Sequence, residues 1–187
     1  SAGGTHHAGS YWGEGFCLLN DQAVAANYLI NKKIYSSILI IDLDVHQGND
    51  TAEIFENNAS VFTFSMHGDR NFPFRKEKSD LDIALPDGVE DEEYIQILIE
   101  NLDRVIDFSR PEMVFYQAGV DVLKTDKLGK LSLSHQACKK RDYIVLNKCK
   151  SLGLPVQISM GGGYSAHIKD IVDAHCNTYI VANELYF

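Results

Sequence analysis

Apolar and polar positions along this chain switch repeatedly between a two-residue and a helical period, which predicts strands alternating with helices. Short apolar runs or strict alternation predict strands at 37–43, 61–65, 79–85, 113–117 and 156–159, with a last one near 178–181. Helical spacing and capping residues predict helices at 22–32, 49–58, 90–108, 135–152 and 166–174, and a loop at 66–78. Strands that alternate with helices form a mostly parallel sheet covered on both faces. The pattern therefore predicts an open, three-layer α/β/α domain.

Polar residues follow the first predicted strand directly. Its apolar run, 37–41, ends in Asp42-Leu43-Asp44-Val45-His46. In extended chain the side chains at 42, 44 and 46 point to the same side. Two carboxylates and an imidazole at the end of a buried strand must be neutralised, hydrogen-bonded or metal-bound to offset their desolvation. A bound cation is the simplest solution.

Two other strands end in residues suited to chemistry. Asp121 follows the strand at 113–117, and Gly161-Gly162-Gly163-Tyr164 follows the strand at 156–159. The carboxyl ends of parallel strands share one edge of the sheet, where open α/β sheets bind ligands. Asp44, His46 and Asp121 would supply one nitrogen and two carboxylate oxygens, a donor set that suits a catalytic zinc with an open position for water.

Adjacent histidines and a tyrosine complete this candidate chemistry. His6 and His7 alternate in direction, so they are better suited to moving protons than to binding one metal together. Tyr164, on its glycine-rich turn, could donate a hydrogen bond to an oxyanion. A metal that acidifies water, with these groups beside it, indicates hydrolysis of an amide.

Composition narrows the class of protein. The chain has 187 residues, of which 45% are hydrophobic, enough for one domain over 1–187. Its formal charge of −9 disfavours a direct nucleic-acid surface and favours cationic substrates such as lysine side chains or polyamines. The four scattered cysteines form no C-x-x-C pair, so we expect free thiols in a reducing compartment, cytosolic or nuclear. No apolar stretch approaches membrane-spanning length, so no membrane partner is expected.

The opening segment of the chain suggests a missing part. Ser1-Ala2-Gly3-Gly4 contains no basic and apolar leader, and the chain begins with a residue other than Met beside the dense motifs. We therefore expect a piece of a longer chain that lacks the amino-terminal part of its domain.

With these residues in place, the sequence resembles the zinc-dependent histone deacetylase family. The similarity rests on stretches that occur in family order over nearly the whole chain: GGTHHA, GEGFCLLND, IIDLDVHQGN, SMHG, AGVDVL, LGKLSLS and MGGGYS. The resemblance implies an arginase/deacetylase-like fold, truncated at its amino-terminal end. It also implies hydrolysis of N-acylated lysine, or of a related acylated amine, in a protein, peptide or small molecule.

The resemblance also implies a role for each matching residue. Zinc would be bound by Asp44, His46 and Asp121; His6 and His7 would transfer protons; Asp42 would orient His6; and Tyr164 would polarise the acyl carbonyl. Phe16 and Phe72 would line the tunnel for the acyl-lysine stem, with Gly15 and Gly162 as further substrate-binding positions. A potassium ion would be held by Asp42, Asp44, His46, Ser65 and Met66, partly through main-chain oxygens.

Three positions depart from the family pattern. The strand end reads His46-Gln47-Gly48-Asn49 rather than His-His-Gly-Asp, so the resemblance is closer to class IV and bacterial members than to class I. Asn49 in place of a carboxylate predicts that His7 holds its proton less tightly. Asp50 replaces a glycine common in the family, and we expect it either to strain that turn or to place a charge near the site.

Alternatives remain open at this stage. The chain could be a two-metal ureohydrolase of the arginase type, which shares the broad fold, or a catalytically silent module that binds acyl-lysine or a protein partner. The cluster at Asp42–His46 could also be a structural cation site without catalysis. Metal content, product release and turnover separate these possibilities.

Overall fold

One parallel sheet forms the middle layer of the computed structural model, which describes residues 3–187. Ser1 and Ala2, half of the opening segment discussed above, lie outside the described residues. The strands are β1 (Ile38–Asp42), β2 (Val61–Gly68), β3 (Leu81–Leu85), β4 (Met113–Gln117) and β5 (Val156–Ser159). Their order is β3-β2-β1-β4-β5, and every neighbouring pair is parallel. The predicted α/β architecture is confirmed.

Five helices cover the two faces of this sheet: α1 (Asp21–Asn31), α2 (Asn49–Phe55), α3 (Asp91–Ser109), α4 (His135–Ser151) and α5 (Ile168–Tyr186). β1 is buried along its whole length, and its side chains divide between the faces with a period of two. Leu39 and Ile41 face a large core with α3, α4 and α5. Ile38 and Ile40 face a smaller core with α1 and α2.

The sheet order identifies a topological switch point. From β1 the chain adds β2 and β3 on one side, and then places β4 and β5 on the other side. At the end of the strands Asp42 lies opposite Gln117 of β4. Ligands of open α/β sheets bind in the crevice where the order reverses, outside the carboxyl ends of the strands. Here that crevice lies beside the polar ends of β1, β4 and β5.

The carboxyl-terminal segment differs from its prediction. The expected helix at 166–174 and strand near 178–181 are one helix, α5, so the strand prediction is wrong. Ala174, His175, Thr178 and Val181 are its buried residues, at helical spacing, and Ala174 and Val181 belong to the main core. Local β-propensity in Thr178–Val181 is overridden because this spacing lets the apolar side chains share one helix face.

Smaller differences concern element ends. β2 continues to Gly68, so the loop predicted from Met66 begins three residues later; Met66 pairs with Ile83 and Gly68 with Leu85. α1 begins one residue earlier than predicted, at Asp21, and Asn20 caps it, its side chain accepting from the Ala23 N–H at 3.0 Å. Within residues 3–187, no helix is long and apolar enough to cross a membrane.

Candidate active site

The turn after β1 gathers the first set of polar side chains. β1 ends at Asp42, so the extended alternation expected through His46 stops there. Two side-chain-to-backbone bonds shape the turn instead: Asp42 Oδ1 accepts from the Asp44 N–H at 3.1 Å, and Asp44 Oδ1 accepts from the His46 N–H at 3.0 Å. Such bonds to the backbone two residues ahead are typical of Asx turns. They hold the three side chains close together without a regular strand.

Asp44, His46 and Asp121 converge on one point. The Nδ1 of His46 lies 3.0 Å from Asp44 Oδ1 and 3.0 Å from Asp121 Oδ2. One ligand atom from each of the three buried residues lies within 4.8 Å of the others. Two backbone amides orient the carboxylates: the Val45 N–H donates to Asp121 at 2.9 Å, and the Gly162 N–H donates to Asp44 at 2.7 Å. The set offers one nitrogen and two oxygens, which fits zinc.

The electrostatics of these residues also favour a cation. Burial and the neighbouring Asp44 charge raise the pKa of Asp121 to about 7. Burial opposes a charge on His46, yet its contacts with Asp121 and Asp44 together raise the pKa of its imidazole to about 10. The protein alone therefore keeps His46 protonated between the carboxyl groups of Asp44 and Asp121. A divalent cation would neutralise both carboxylates and let His46 bind through a neutral nitrogen.

His6 and His7 are adjacent but differ in their partners. The His6 Nδ1 lies 2.6 Å from the carboxylate of Asp42, whereas the His7 Nδ1 lies 2.6 Å from the amide oxygen of Asn49. Burial opposes a charge on His6, but Asp42 and Asp44 together raise its pKa to about 9. Burial and the charge of His6 lower the pKa of His7 to about 3. The pair thus combines a cationic imidazole with a neutral one, and their ring centroids are 4.0 Å apart.

An inner cavity of about 150 Å³ adjoins the three candidate metal ligands. The two histidines, Cys17 and Tyr164 also line it, together with glycines that include Gly15 and Gly162. Gly162 approaches so closely that a Cβ there would lie 1.9 Å from Asp121 Oδ2. A larger residue would therefore push Asp121 out of place.

Tyr164 is held at the wall of this cavity. Its N–H donates to Asp126 Oδ2 at 2.6 Å, and Asp126 Oδ1 also accepts from the N–H groups of Leu128 and Gly129. Burial, with the nearby Asp121 and Asp44 charges, raises the pKa of Tyr164 to about 12. Its hydroxyl therefore keeps its proton near neutral pH and can donate a hydrogen bond.

An outer cavity of about 470 Å³ leads toward the inner one, and His7, Gly15, Phe16, His46 and Tyr164 line both. Phe72 stands edge-on to His7, with ring centroids 4.9 Å apart, and Phe16 lies 6.1 Å from Tyr164. Phe74 and Leu128 add apolar surface, while Arg70 and Lys130 bring cationic groups. Phe72 thus lies deeper and Phe16 lies at the exposed wall, where 86% of its surface is accessible.

The predicted potassium residues are only partly brought together. Asp42 and Ser65 lie opposite each other in the β1–β2 register, and Met66 follows on β2. The Ser65 hydroxyl pairs with the His67 Nδ1 at 2.9 Å, and the Met66 side chain packs in the main core. Any role for Met66 would therefore use its main chain, and the potassium site stays a prediction.

Beneath the site lies a buried ion pair that the sequence did not single out. Arg141 is fully buried on α4, and its Nε donates to Asp142 at 2.9 Å. Its Nη1 donates to the carbonyls of Leu43 and Gly119 at 3.1 and 2.6 Å, next to the segments that carry Asp44 and Asp121. The available signal was an arginine within the buried stripe of α4, between Cys138 and Val145.

Comparisons with known proteins found one matching family and several relatives. A family model described as the histone deacetylase domain matches residues 1–179. An uncharacterised protein of Picosynechococcus sp. is 45% identical over all of this chain, which spans 62% of that protein. Histone deacetylase clr6 of Schizosaccharomyces pombe is 35% identical over 88% of the chain, which spans 42% of that relative. The crystal structure of an HDAC homologue from Aquifex aeolicus superimposes with a TM-score of 0.82 at 31% identity, over 97% of this chain and 50% of that one.

Proposed function

The chain belongs to the histone deacetylase domain family, and we propose that its site hydrolyses the amide of an N-acylated, above all acetylated, lysine or a related acylated amine. The observation that carries this proposal is the convergence of three buried candidate zinc ligands beside two histidines in opposite charge states. A tyrosine hydroxyl that keeps its proton lies on the same cavity. Those groups meet the three needs of amide hydrolysis: an activated water, a stabilised oxyanion and a protonated leaving amine.

One zinc ion would be held by Asp44, His46 and Asp121. When bound, zinc polarises a carbonyl and lowers the pKa of a water molecule. Within residues 3–187, this is the one group of three such side chains with ligand atoms close enough for a metal. A single cluster favours the one-metal reaction over the two-metal ureohydrolase alternative.

The chain's own residues divide the proton transfers. Neutral His7 lines both cavities, so its ring can accept a proton from the attacking water. His6, cationic beside Asp42, stabilises the negative charge that develops in the transition state. Tyr164 donates its hydroxyl hydrogen to the oxyanion. A protonated histidine then transfers its proton to the departing amine nitrogen.

The outer cavity suits an acylated alkyl amine. Phe72, Phe74 and Leu128 would contact the methylene stem of a lysine, whose burial is favourable along its whole length. The acyl group would reach the inner cavity, between His7 and Tyr164. Protein-bound and small acylated amines share this part of their structure, so the cavity selects a chemical group rather than a whole molecule.

The decisive experiment measures release of acetate from an acetyl-lysine peptide by the chain loaded with one equivalent of zinc. We expect turnover from the parent, and none from Asp121→Ala, because the variant loses one of three ligands. Asp107→Ala, which removes an exposed carboxylate on α3, is the control and should keep the turnover of the parent. Zinc bound at one equivalent by a folded parent, with no acetate released, would support the silent-module alternative instead.

A further inference from the structure

A third polar side chain continues the hydrogen-bonded pair of His7 and Asn49. The amide Nδ2 of Asn49 donates to Glu14 Oε1 at 2.9 Å, while its Oδ1 lies 2.6 Å from the His7 Nδ1. Asn49 is buried at the first turn of α2, and Glu14 reaches it from an exposed loop. The three side chains therefore form a chain of two hydrogen bonds that ends on His7.

Backbone contacts fix Glu14 relative to His7. The Glu14 N–H donates to the His7 carbonyl at 3.0 Å, and the Glu14 carbonyl accepts from the Cys17 N–H at 2.8 Å. The loop that carries the carboxylate is thus anchored to the same backbone segment as the histidine. Its side chain has one described hydrogen-bond partner, the amide of Asn49.

The direction of this chain follows from the donor and acceptor inventory. An ionised carboxylate only accepts, so the NH₂ group of Asn49 must face Glu14. The amide oxygen then faces His7, and an oxygen cannot donate. The proton must therefore be on Nδ1 of His7. The reverse orientation of Asn49 would place its oxygen against the Glu14 carboxylate, with no proton between them.

We propose that Glu14 is a positioning residue, which fixes the amide of Asn49 and through it the Nδ1–H tautomer of His7. Nε2 of His7, on a ring that lines both cavities, then keeps its lone pair. The tautomer depends only on the geometry above, whereas its use in taking a proton from water rests on the proposed function. His6 needs no such relay, because its Nδ1 meets the carboxylate of Asp42 directly at 2.6 Å.

Reversal of polarity at position 14 tests this proposal. Glu14→Lys replaces a group that only accepts by one that only donates, so Asn49 should turn over and His7 should carry its proton on Nε2. Glu14→Gln can donate or accept and should give a mixture. Glu53→Lys is the matched control: Glu53 lies near the same loop, where it accepts from the N–H and hydroxyl of Ser10, and the charge change is identical.

The tautomers are measured by two-bond ¹H–¹⁵N spectra of the zinc-loaded chain labelled with ¹⁵N-histidine. His7 is assigned by the signals lost in His7→Phe. We expect Nδ1–H to exceed Nε2–H by about tenfold or more in the parent and in Glu53→Lys, because a hydrogen bond to a charged group sets the amide. In Glu14→Lys the Nε2–H form should predominate. An unchanged tautomer in Glu14→Lys, or the same change in Glu53→Lys, would overturn the proposal.

Kinetics supply a second readout. On an acetyl-lysine peptide, kcat of Glu14→Lys should fall by about tenfold or more, with KM within about twofold, because the wrong tautomer blocks proton transfer but not binding. Glu53→Lys should keep the parent kcat. If the parent itself releases no acetate, the proposed function fails while the tautomer result still stands. If Glu14→Lys does not fold, the mixture expected in Glu14→Gln decides the matter.

Discussion

Replacement of Arg141 by Met tests the buried ion pair beneath the candidate site. Arg141→Met keeps most of the side-chain volume but removes the charge that faces Asp142 and the Nη1 group that donates to the carbonyls of Leu43 and Gly119. Loss of one partner of a buried pair costs about 3–5 kcal/mol, because the other charge stays buried. Asp142 keeps bonds from Tyr116 and Thr178 at 2.6 and 2.7 Å, which places the expected loss near the lower end.

The assay is urea unfolding followed by circular dichroism, with thermal unfolding beside it. A loss of about 3–5 kcal/mol corresponds to a midpoint lower by about 6–20 °C in a domain of this size. Lys140→Met, an exposed change on the same helix, should stay within about 0.5 kcal/mol of the parent. In the double variant Arg141→Met/Asp142→Asn, at least about 1 kcal/mol should return, because no unpaired charge remains.

Two results would refute this reasoning. A loss below about 1 kcal/mol in Arg141→Met would mean that the buried carboxylate of Asp142 does not depend on Arg141 for its neutralisation. Strict additivity of the two single changes would mean that Arg141 and Asp142 do not interact energetically.

Three further predictions concern the site and its surroundings. Tyr164→Phe should lower kcat of the zinc-loaded chain by about 100-fold or more through loss of an oxyanion donor, with zinc affinity unchanged; an equal kcat would remove the hydroxyl from the mechanism. Zinc at 100 times its dissociation constant should stabilise the parent by about 2.7 kcal/mol, and Asp121→Ala should lose most of this gain in thermal unfolding. Burial raises the pKa of Asp50 to about 6, helped by Glu14 and Glu53. Its folded form thus holds a proton that the unfolded form has lost, and stability falls as pH rises through 6. Because Asn does not titrate, the parent should lose about 1 kcal/mol more than Asp50→Asn between pH 5 and 7, after allowance for solvent screening; parallel urea curves at both pH values would contradict this.

The order of elements and the position of the candidate site were predictable because both follow from short-range patterns. Five of the six predicted strands occur, and the residues after β1, β4 and β5 do meet around one cavity at the edge of the sheet. Parallel strands with crossover helices leave their carboxyl ends on the same side, whatever the details of packing. Asp44, His46 and Asp121 could therefore be grouped although they are far apart in sequence.

The prediction failed where tertiary contacts outweighed local preference. Thr178–Val181 favours a strand by residue type, but its spacing from Ala174 buries one face of α5 in the core.

The expected preference for cationic substrates rested on net charge alone, and no finding tests it; the outer cavity itself is lined by Arg70 and Lys130. Net charge gives no information on where each charge lies.

What the sequence determined by itself is the set of chemical groups: three candidate metal ligands and a tyrosine that follow strands, and two histidines in the opening segment. Only the tertiary structure decided their states. His6 and His7 are neighbours with the same ordinary pKa, yet one faces Asp42 and the other the amide of Asn49, and their pKa values separate to about 9 and about 3. Likewise, Arg141 donates to the carbonyl of Leu43, beside Asp44, although 98 residues separate the two in sequence. Only folding brings them together. Residue types and spacing are local, whereas burial and the field at a titrating group are sums over contacts that folding alone creates.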